Sequence, residues 1–464
     1  MLCVLMNCSH SGNGGCIMSE QVTIIMPVYN PGEYLRPCLD SLLAQSMKDF
    51  RIIAIDDGST DNSWDVLQEY AVIDARVLPQ QNPYNIGAAR TRNIGIQLAQ
   101  GEYVVILDAD DYFEPDYLEC LWKACKGHDL DIAICDFWLR DEKRGLENIR
   151  SVSRRLTDVI DRPFSWNDVS DILFQIFYFP PYLKMYSRQF LVEQNIFFQD
   201  LHNSNDVYFC LMSMISASRI MHISKPLVHY RYNTGSQISS VRNKHPYCIY
   251  HAFLKVYDEL IKTGIFTDVC KSFYGSLWEN IMHVAVALDT EELCAFRKYG
   301  KKLLRDFQDV SAPNYDSFSS KCYFYAWNDF FQLDNGLTTC DDLYTMERVY
   351  KNFFCEVNKR KWTLSHWGYG KLGYEFVENA KKHDAVVLEV YDQDSAKWNE
   401  VSNPPIRRFD DRKEDTDLVV MTNDLFEQDI LSSIKKSGKC IKLFDFTAFV
   451  RFGFDFESCI IRSR

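Results

Sequence analysis

The sequence predicts an α/β protein whose first half is a parallel sheet covered by helices on both faces. From about residue 21 to residue 136, short apolar runs alternate with stretches of helical spacing. Near-continuous apolar strands are the mark of parallel strands buried on both sides. The polar clusters of the same region fall where those strands end: Tyr29-Asn30, Asp56-Asp57-Gly58-Ser59, and Asp108 with Asp110 and Asp111. In open parallel sheets a ligand sits beyond the carboxyl ends of the strands.

Residues 22–27, an apolar run bounded by turn residues, predict the first strand. Residues 34–45 predict a helix, with Leu35, Leu39, Leu42 and Leu43 on one face. A strand over 50–55 follows, then a helix over 60–70 with Thr60 or Asp61 near its N-cap. Residues 76–79 predict a short strand, 88–99 a helix carrying Ile94, Leu98 and Ala99, and 103–107 a wholly apolar strand. Residues 115–126 read as a helix and 131–135 as a strand. Residues 148–240 are less regular, rich in aromatics, and read as edge strands. Helical patterns dominate from 247 to 357 (252–260, 277–287, 291–307 and 341–357), broken by a Ser- and Asn-rich loop over 309–325. Residues 360–464 return to strand–helix alternation, at 362–366, 373–381, 385–390, 418–422, 426–436 and 440–443.

The chain carries 51 basic and 64 acidic residues among 464, a net charge of −13. That balance argues against a nucleic-acid partner, which needs a basic face. It also means that a phosphorylated ligand needs a cation or a few well-placed basic residues. A hydrophobic fraction of 47% with 25% charged residues excludes wholesale disorder. No run approaches the roughly 18 apolar residues of a membrane helix. Residues 1–19 open apolar but pass into a Ser/Gly/Asn-rich tract; they are expected to be a poorly ordered extension, with Met18 a second candidate start. The 16 cysteines are scattered without a C-x-x-C pair. They are expected to be reduced and buried, as in a cytoplasmic protein.

The strongest local signal is Leu107-Asp108-Ala109-Asp110-Asp111 after an apolar strand. Three carboxylates so close repel one another unless a cation sits among them. Asp108 and Asp110 project to one side of an extended chain and are placed to share a divalent ion. Oxygen ligands favour Mg²⁺ or Mn²⁺. The plain alternative is a solvated acidic turn that caps the next helix. A second motif, Gly368-Tyr369-Gly370-Lys371-Leu372-Gly373, follows a predicted strand and opens a helix, with Asp392 and Asp394 after the next strand. It reads either as nucleotide binding or as a degenerate domain used for packing or dimerisation.

Taken in order, Pro27-Val28-Tyr29-Asn30, Asp56-Asp57-Gly58-Ser59-Thr60-Asp61, Asn85-Ile86-Gly87-Ala88-Ala89-Arg90-Thr91-Arg92-Asn93-Ile94-Gly95 and the acidic triplet resemble the family 2 glycosyltransferases of the GT-A fold. Further on, residues 181–191 resemble the segment those enzymes place before the acceptor site. Asn205-Asp206-Val207-Tyr208-Phe209 resembles their Glu-Asp general-base motif, with Asn205 in place of the Glu. Residues 226–239, with His229-Tyr230-Arg231-Tyr232, resemble the end of the catalytic domain. The resemblance covers about half of the chain.

It implies a role for each residue. Pro27 terminates the first strand and shapes the donor pocket. Tyr29 lies against the uracil ring, Asp57 accepts from its N3–H, and Arg92 faces the nucleotide. Asp108 contacts the ribose or the metal, and Asp110 binds the Mn²⁺ or Mg²⁺ that bridges two phosphates. His229 is a third metal ligand or a diphosphate contact, and Asp206 is the base. The fold implied is a GT-A catalytic domain over 20–240, a helical region over 241–358 and a small Rossmann-like domain over 359–464. The function implied is an inverting, metal-dependent hexosyl transfer from a nucleotide sugar, most simply a UDP-sugar, to a surface glycan or lipid-linked glycan. Such an enzyme works in the cytoplasm, with peripheral attachment to the inner face of the membrane and homo-oligomer formation left open. The alternative is a glycan-assembly protein that binds a sugar nucleotide with little or no transfer. A Rossmann oxidoreductase and a processive synthase are disfavoured: the sequence has no separate domain for hydride transfer, no Q-x-x-R-W and no membrane helices.

Overall fold

The computed structural model describes residues 20–142, 146–150, 161–176, 180–232, 244–285, 288–304, 346–367, 371–391, 406–407, 418–421, 442–445 and 460–462. The chain divides into two compact units, Met1–Val169 with Ile176–Ser240 and Ser170–Gln175 with Val241–Arg464.

The first unit holds β1 (Val22–Val28), β2 (Phe50–Asp56), β3 (Val77–Gln81), β4 (Tyr103–Ile106), β5 (Tyr112–Phe113), β6 (Ile132–Asp141), β7 (Leu146–Arg150), β8 (Lys184–Ser187) and β9 (Ile220–Tyr232). Its helices are α1 (Leu35–Leu43), α2 (Ser63–Ile73), α3 (Ala88–Leu98) and α4 (Tyr117–His128). A single turn, α5 (Leu173–Ile176), stands at the division between the units, and α6 (Arg188–Glu193) and α7 (Asn205–Ser216) follow. The strands form one sheet in the order β3-β2-β1-β4-β8-β6-β9-β5, with β7 paired to β6.

The half around β1 is parallel, as the apolar runs predict: β1 pairs with β2 and β4, and β2 with β3. Val22, Ile24, Ile25 and Met26 are fully buried. Gly95 lets α3 lie close on this strand, because a Cβ there would overlap Ile25. The other half departs from expectation. The region read as edge strands supplies β8, which sits inside the sheet and runs antiparallel to both β4 and β6. It also supplies the 13-residue β9, parallel to β6 with a register shift at Asp136. The sheet is therefore mixed.

Pro27 does not end β1; the strand continues to Val28, with Pro27 opposite Ile55 of β2. A proline inside a central strand normally removes a ladder bond. Here Ile25 accepts from Leu107 N at 2.9 Å, so the alternate positions of β1 face β4, and the pairing with β4 ends at Ile25. Pro27 faces that side beyond the last rung, where no donor is needed.

In the second unit α8 (Cys248–Thr263), α9 (Phe266–Ala285) and α10 (Thr290–Leu304) precede α11 (Met346–Lys359). Then come β10 (Leu364–Trp367), α12 (Lys371–Lys382), β11 (Val387–Tyr391), β12 (Ile406–Arg407), β13 (Leu418–Met421), β14 (Lys442–Asp445) and β15 (Ile460–Arg462). The sheet order is β12-β11-β10-β13-β14-β15, parallel except for β15 against β14. That is the strand order of a doubly wound sheet. Tyr350, Phe353, Phe354 and Val357 of α11 form one core with Leu364, Phe376, Ala380, Leu418 and Val420. The helix that the sequence assigns to the helical region thus belongs to the core of the second sheet. Gly368, Gly370, Asp392, Asp394 and residues 1–19, 309–325 and 426–436 lie outside the described residues. Cys294 is disulfide-bonded, against the expectation that every cysteine is reduced. Among the described residues no helix is long and apolar enough to cross a membrane.

Candidate active site

The first wall of the site is built where β1 and β2 end side by side. Asp57 N donates to Val28 O at 2.8 Å. Asn30, in the left-handed region at φ 48, gathers the opposite loop with its side chain. Its Oδ1 accepts from Thr60 N at 2.8 Å and Asp61 N at 3.3 Å, and its own N–H donates to Ser59 Oγ at 3.1 Å. Thr60 and Asp61 are thereby spent on this loop, and the helix expected from residue 60 starts at Ser63.

Asp57 is only 2% exposed. Its Oδ1 accepts from Asn82 Nδ2 at 2.8 Å and Ile86 N at 2.9 Å, and its Oδ2 accepts from Gly87 N at 2.9 Å. A carboxylate offers about four acceptor positions, so one remains for a ligand. Gly58 permits the approach: a Cβ would lie 2.7 Å from Asn85 N, and φ is +72°. Tyr29 stands at the rim, 52% exposed, with its ring open for stacking.

The second wall is the turn after β4. Asp108 and Asp110 are part-buried and Asp111 is fully buried. Asp111 Oδ1 accepts from Arg231 N at 2.9 Å, while Oδ2 is buried with no hydrogen-bond partner among the described residues. Arg231 Nη1 donates to Asp110 O at 3.1 Å. Its guanidinium lies 4.7 Å from the Tyr112 ring centre and 5.1 Å from that of Tyr34. Burial first, and then the Asp108 charge, push the Asp110 carboxyl up to about 6. Burial followed by the Asp110 and Asp108 charges pushes Asp111 well above the usual carboxylate range. The turn is short of positive charge.

The third wall is the start of α7. Arg92 on α3, 7% exposed, donates from Nη2 to Asp108 Oδ1 at 2.7 Å and from Nη1 to Asn205 Oδ1 at 3.1 Å. The expected nucleotide-facing arginine thus joins the acidic turn to the helix that carries Asp206. Asp206 occupies the first turn of α7, partly exposed, and its carboxylate has no hydrogen-bond partner among the described residues. Behind it lies Lys184 on β8, fully buried, donating to Pro180 O at 3.1 Å. Burial pushes its ammonium down, opposed by Cys210 and Asp206.

His229 does not join the aspartates. Its Nε2 is within 2.8 Å of Glu114 Oε1, and its ring stacks on Tyr112 at 4.2 Å and on Trp138 at 5.9 Å. Tyr112 and His229 face each other across the β5–β9 pair. Among the described residues no group of three His, Cys, Asp or Glu is arranged to hold a metal. The expected role of His229, as a third metal ligand or a diphosphate contact, draws no support from this arrangement, in which its Nε2 is turned to Glu114. Asp108 and Asp110 still offer the oxygen donors a hard divalent cation prefers. Mg²⁺ characteristically takes one or two carboxylates and completes its shell with phosphate and water. Arg231, Glu114 and Lys184 were not singled out from the sequence; a basic or acidic residue inside an aromatic run was the only available signal.

A mixed sheet whose parallel half ends in an acidic turn defines an α/β protein, and comparison with known proteins narrows the class. Residues 23–193 match the family model described as glycosyl transferase family 2, and the fold is the GT-A fold of glycosyltransferases. The chain is similar to EpsH of Bacillus subtilis, a provisionally named glycosyltransferase, at 30% identity over 48% of this chain and 64% of that one. It is similar to the glycosyltransferase GlyG of Streptococcus pneumoniae at 38% identity over 28% of this chain and 42% of that one. The chain spans less than two thirds of the length of either relative. Among solved structures, residues 1–349 of S. aureus TarS in complex with UDP-GlcNAc show 18% identity and a TM-score of 0.45, covering 66% of this chain and 91% of that one. No ligand or residue role is transferred across so distant a likeness.

Proposed function

We propose that the protein transfers a sugar with inversion from a nucleotide donor, most simply a UDP-sugar, to a hydroxyl of a glycan acceptor. The observation that carries this reading is the single bracket formed by Asp108, Arg92 and Asn205, which brings the carboxylate turn and the base-bearing helix to one place. In this reading Tyr29 stacks on the base of the nucleotide, and the remaining acceptor position of Asp57 takes a ring N–H. Asp110 and Asp108 would hold a Mn²⁺ or Mg²⁺, which neutralises the diphosphate as it leaves. Asp206 takes the proton of the acceptor hydroxyl as that oxygen attacks the anomeric carbon in line. Asn205 does not argue for a merely binding protein. Its side chain is committed to Arg92, and the one carboxylate the step needs stands beside it. The second sheet is read as a Rossmann-like accessory domain, on the strength of its strand order. A screen of UDP-, GDP- and dTDP-sugars for Mn²⁺-dependent thermal shift and donor hydrolysis tests the reading. Stabilisation by one nucleotide class, with hydrolysis of its sugar, supports it; none with any donor overturns it.

A further inference from the structure

We propose that Arg92 is a positioning residue that ties the acidic turn after β4 to the first turn of α7 and so sets where Asp206 stands. This deepens the transferase reading and rests on Asp206 being the base. One guanidinium reaches two segments that the chain separates widely: Asp108 at 2.7 Å and Asn205 at 3.1 Å. Its fork geometry allows this, whereas a lysine ammonium would act as a single point charge.

The surroundings hold the arginine in place. Its guanidinium carbon lies 5.2 Å from the centre of the Phe198 ring, which stacks on Phe209 of α7 at 4.0 Å. On the same helix, Asn93 Nδ2 donates to Phe198 O and Phe198 N donates back to Asn93 Oδ1, both at 2.8 Å. Arg90 pairs with Asp200. Thus α3 grips the segment leading into α7 at three points, and only Arg92 also touches the acidic turn. Asn205 makes the bracket asymmetric. Its amide oxygen orients the helix start without claiming the arginine's charge, which is left to Asp108. The helix start lacks a side-chain cap: Ser204 stands in the left-handed region at φ 54 and its side chain does not cap the helix.

The test uses the full chain and compares Arg92→Lys, Asn205→Ala and the double variant. Arg92→Lys keeps a charge for Asp108 but cannot span both partners; Asn205→Ala leaves Arg92 untouched and removes the second contact, together with the longer bond from Asn205 Nδ2 to Leu201 O at 3.3 Å. Turnover should fall by about 10- to 100-fold in each, the scale expected for a lost hydrogen bond to a charged group. UDP affinity of Asn205→Ala should stay within about threefold. The double variant should lose no more than the worse single, because both act through one bond. Hydrogen exchange of the peptide over residues 198–210 should quicken by a similar factor in both single variants. Multiplying losses, a fall in the UDP affinity of Asn205→Ala matching that in its turnover, or unchanged exchange would overturn the proposal. The exchange measurement decides on the bracket even where no donor is turned over, so failure of the transferase reading stays distinguishable.

Discussion

Asp206 stands in the first turn of α7 with no hydrogen bond to its carboxylate among the described residues, the condition in which a base is available to a hydroxyl. Proton removal matters only as the glycosidic bond forms, so Asp206→Asn should lower turnover by about 10²–10⁴-fold and leave UDP affinity unchanged in calorimetry. Transfer at the wild-type rate to a verified acceptor would show that another group is the base. Asp110 gives a prediction with a pH signature. Burial and the Asp108 charge raise its carboxyl from 3.8 to about 6. The folded protein therefore keeps a proton that the unfolded chain has lost. Stability without metal should fall as pH rises from about 4 to about 6, and change no further through this group above that. A cation competes for the same carboxylate, so Mn²⁺-dependent UDP binding should strengthen over this range and level off above it. Asp110→Asn should flatten both profiles. Equal UDP affinity with and without EDTA at pH 7 would refute the metal dependence itself.

The loops that carry these residues are set by close approaches between elements. Asp57 accepts from Asn82 Nδ2 and from the part-buried amides of Ile86 and Gly87, so Asp57→Ala should leave three donors without this acceptor and cost about 1–3 kcal/mol, read as a lower denaturation midpoint. Much of this part was legible. The apolar runs of β1, β2 and β4 marked the sheet, and the acidic and glycine clusters at their ends marked the site. What was hidden has a common physical cause. β8 reads Lys184-Met185-Tyr186-Ser187, and a lysine at 0% exposure gives no apolar signal. The place of His229 depends on Tyr112, opposite it in a strand pair made by residues far apart in the chain. Arg92 and Asn205 were each visible as motif residues. Their contact was not, since only tertiary packing brings α3 and α7 together.

At the scale of the whole molecule, every residue assigned to donor and acceptor lies in the first unit, and the second unit has its own core. That core includes the aromatic face of α11: Phe353 and Phe354 are fully buried, and Phe354 lies 5.2 Å from Phe376 of α12. A chain cut near residue 357, the boundary that helical periodicity suggests, keeps this face and removes the sheet that covers it. Tyr350, Phe353, Phe354 and Val357 would then form an apolar stripe, and exposed patches of that kind drive association. A chain cut after Leu304 removes the stripe together with its partner. The shorter chain should therefore remain monodisperse in light scattering where the longer one aggregates. It should also bind UDP with Mn²⁺ within about threefold of the full protein, since the binding residues do not depend on the second core. A well-folded chain ending at Leu304, judged by circular dichroism, that fails to bind UDP would show that the second unit contributes to the donor site.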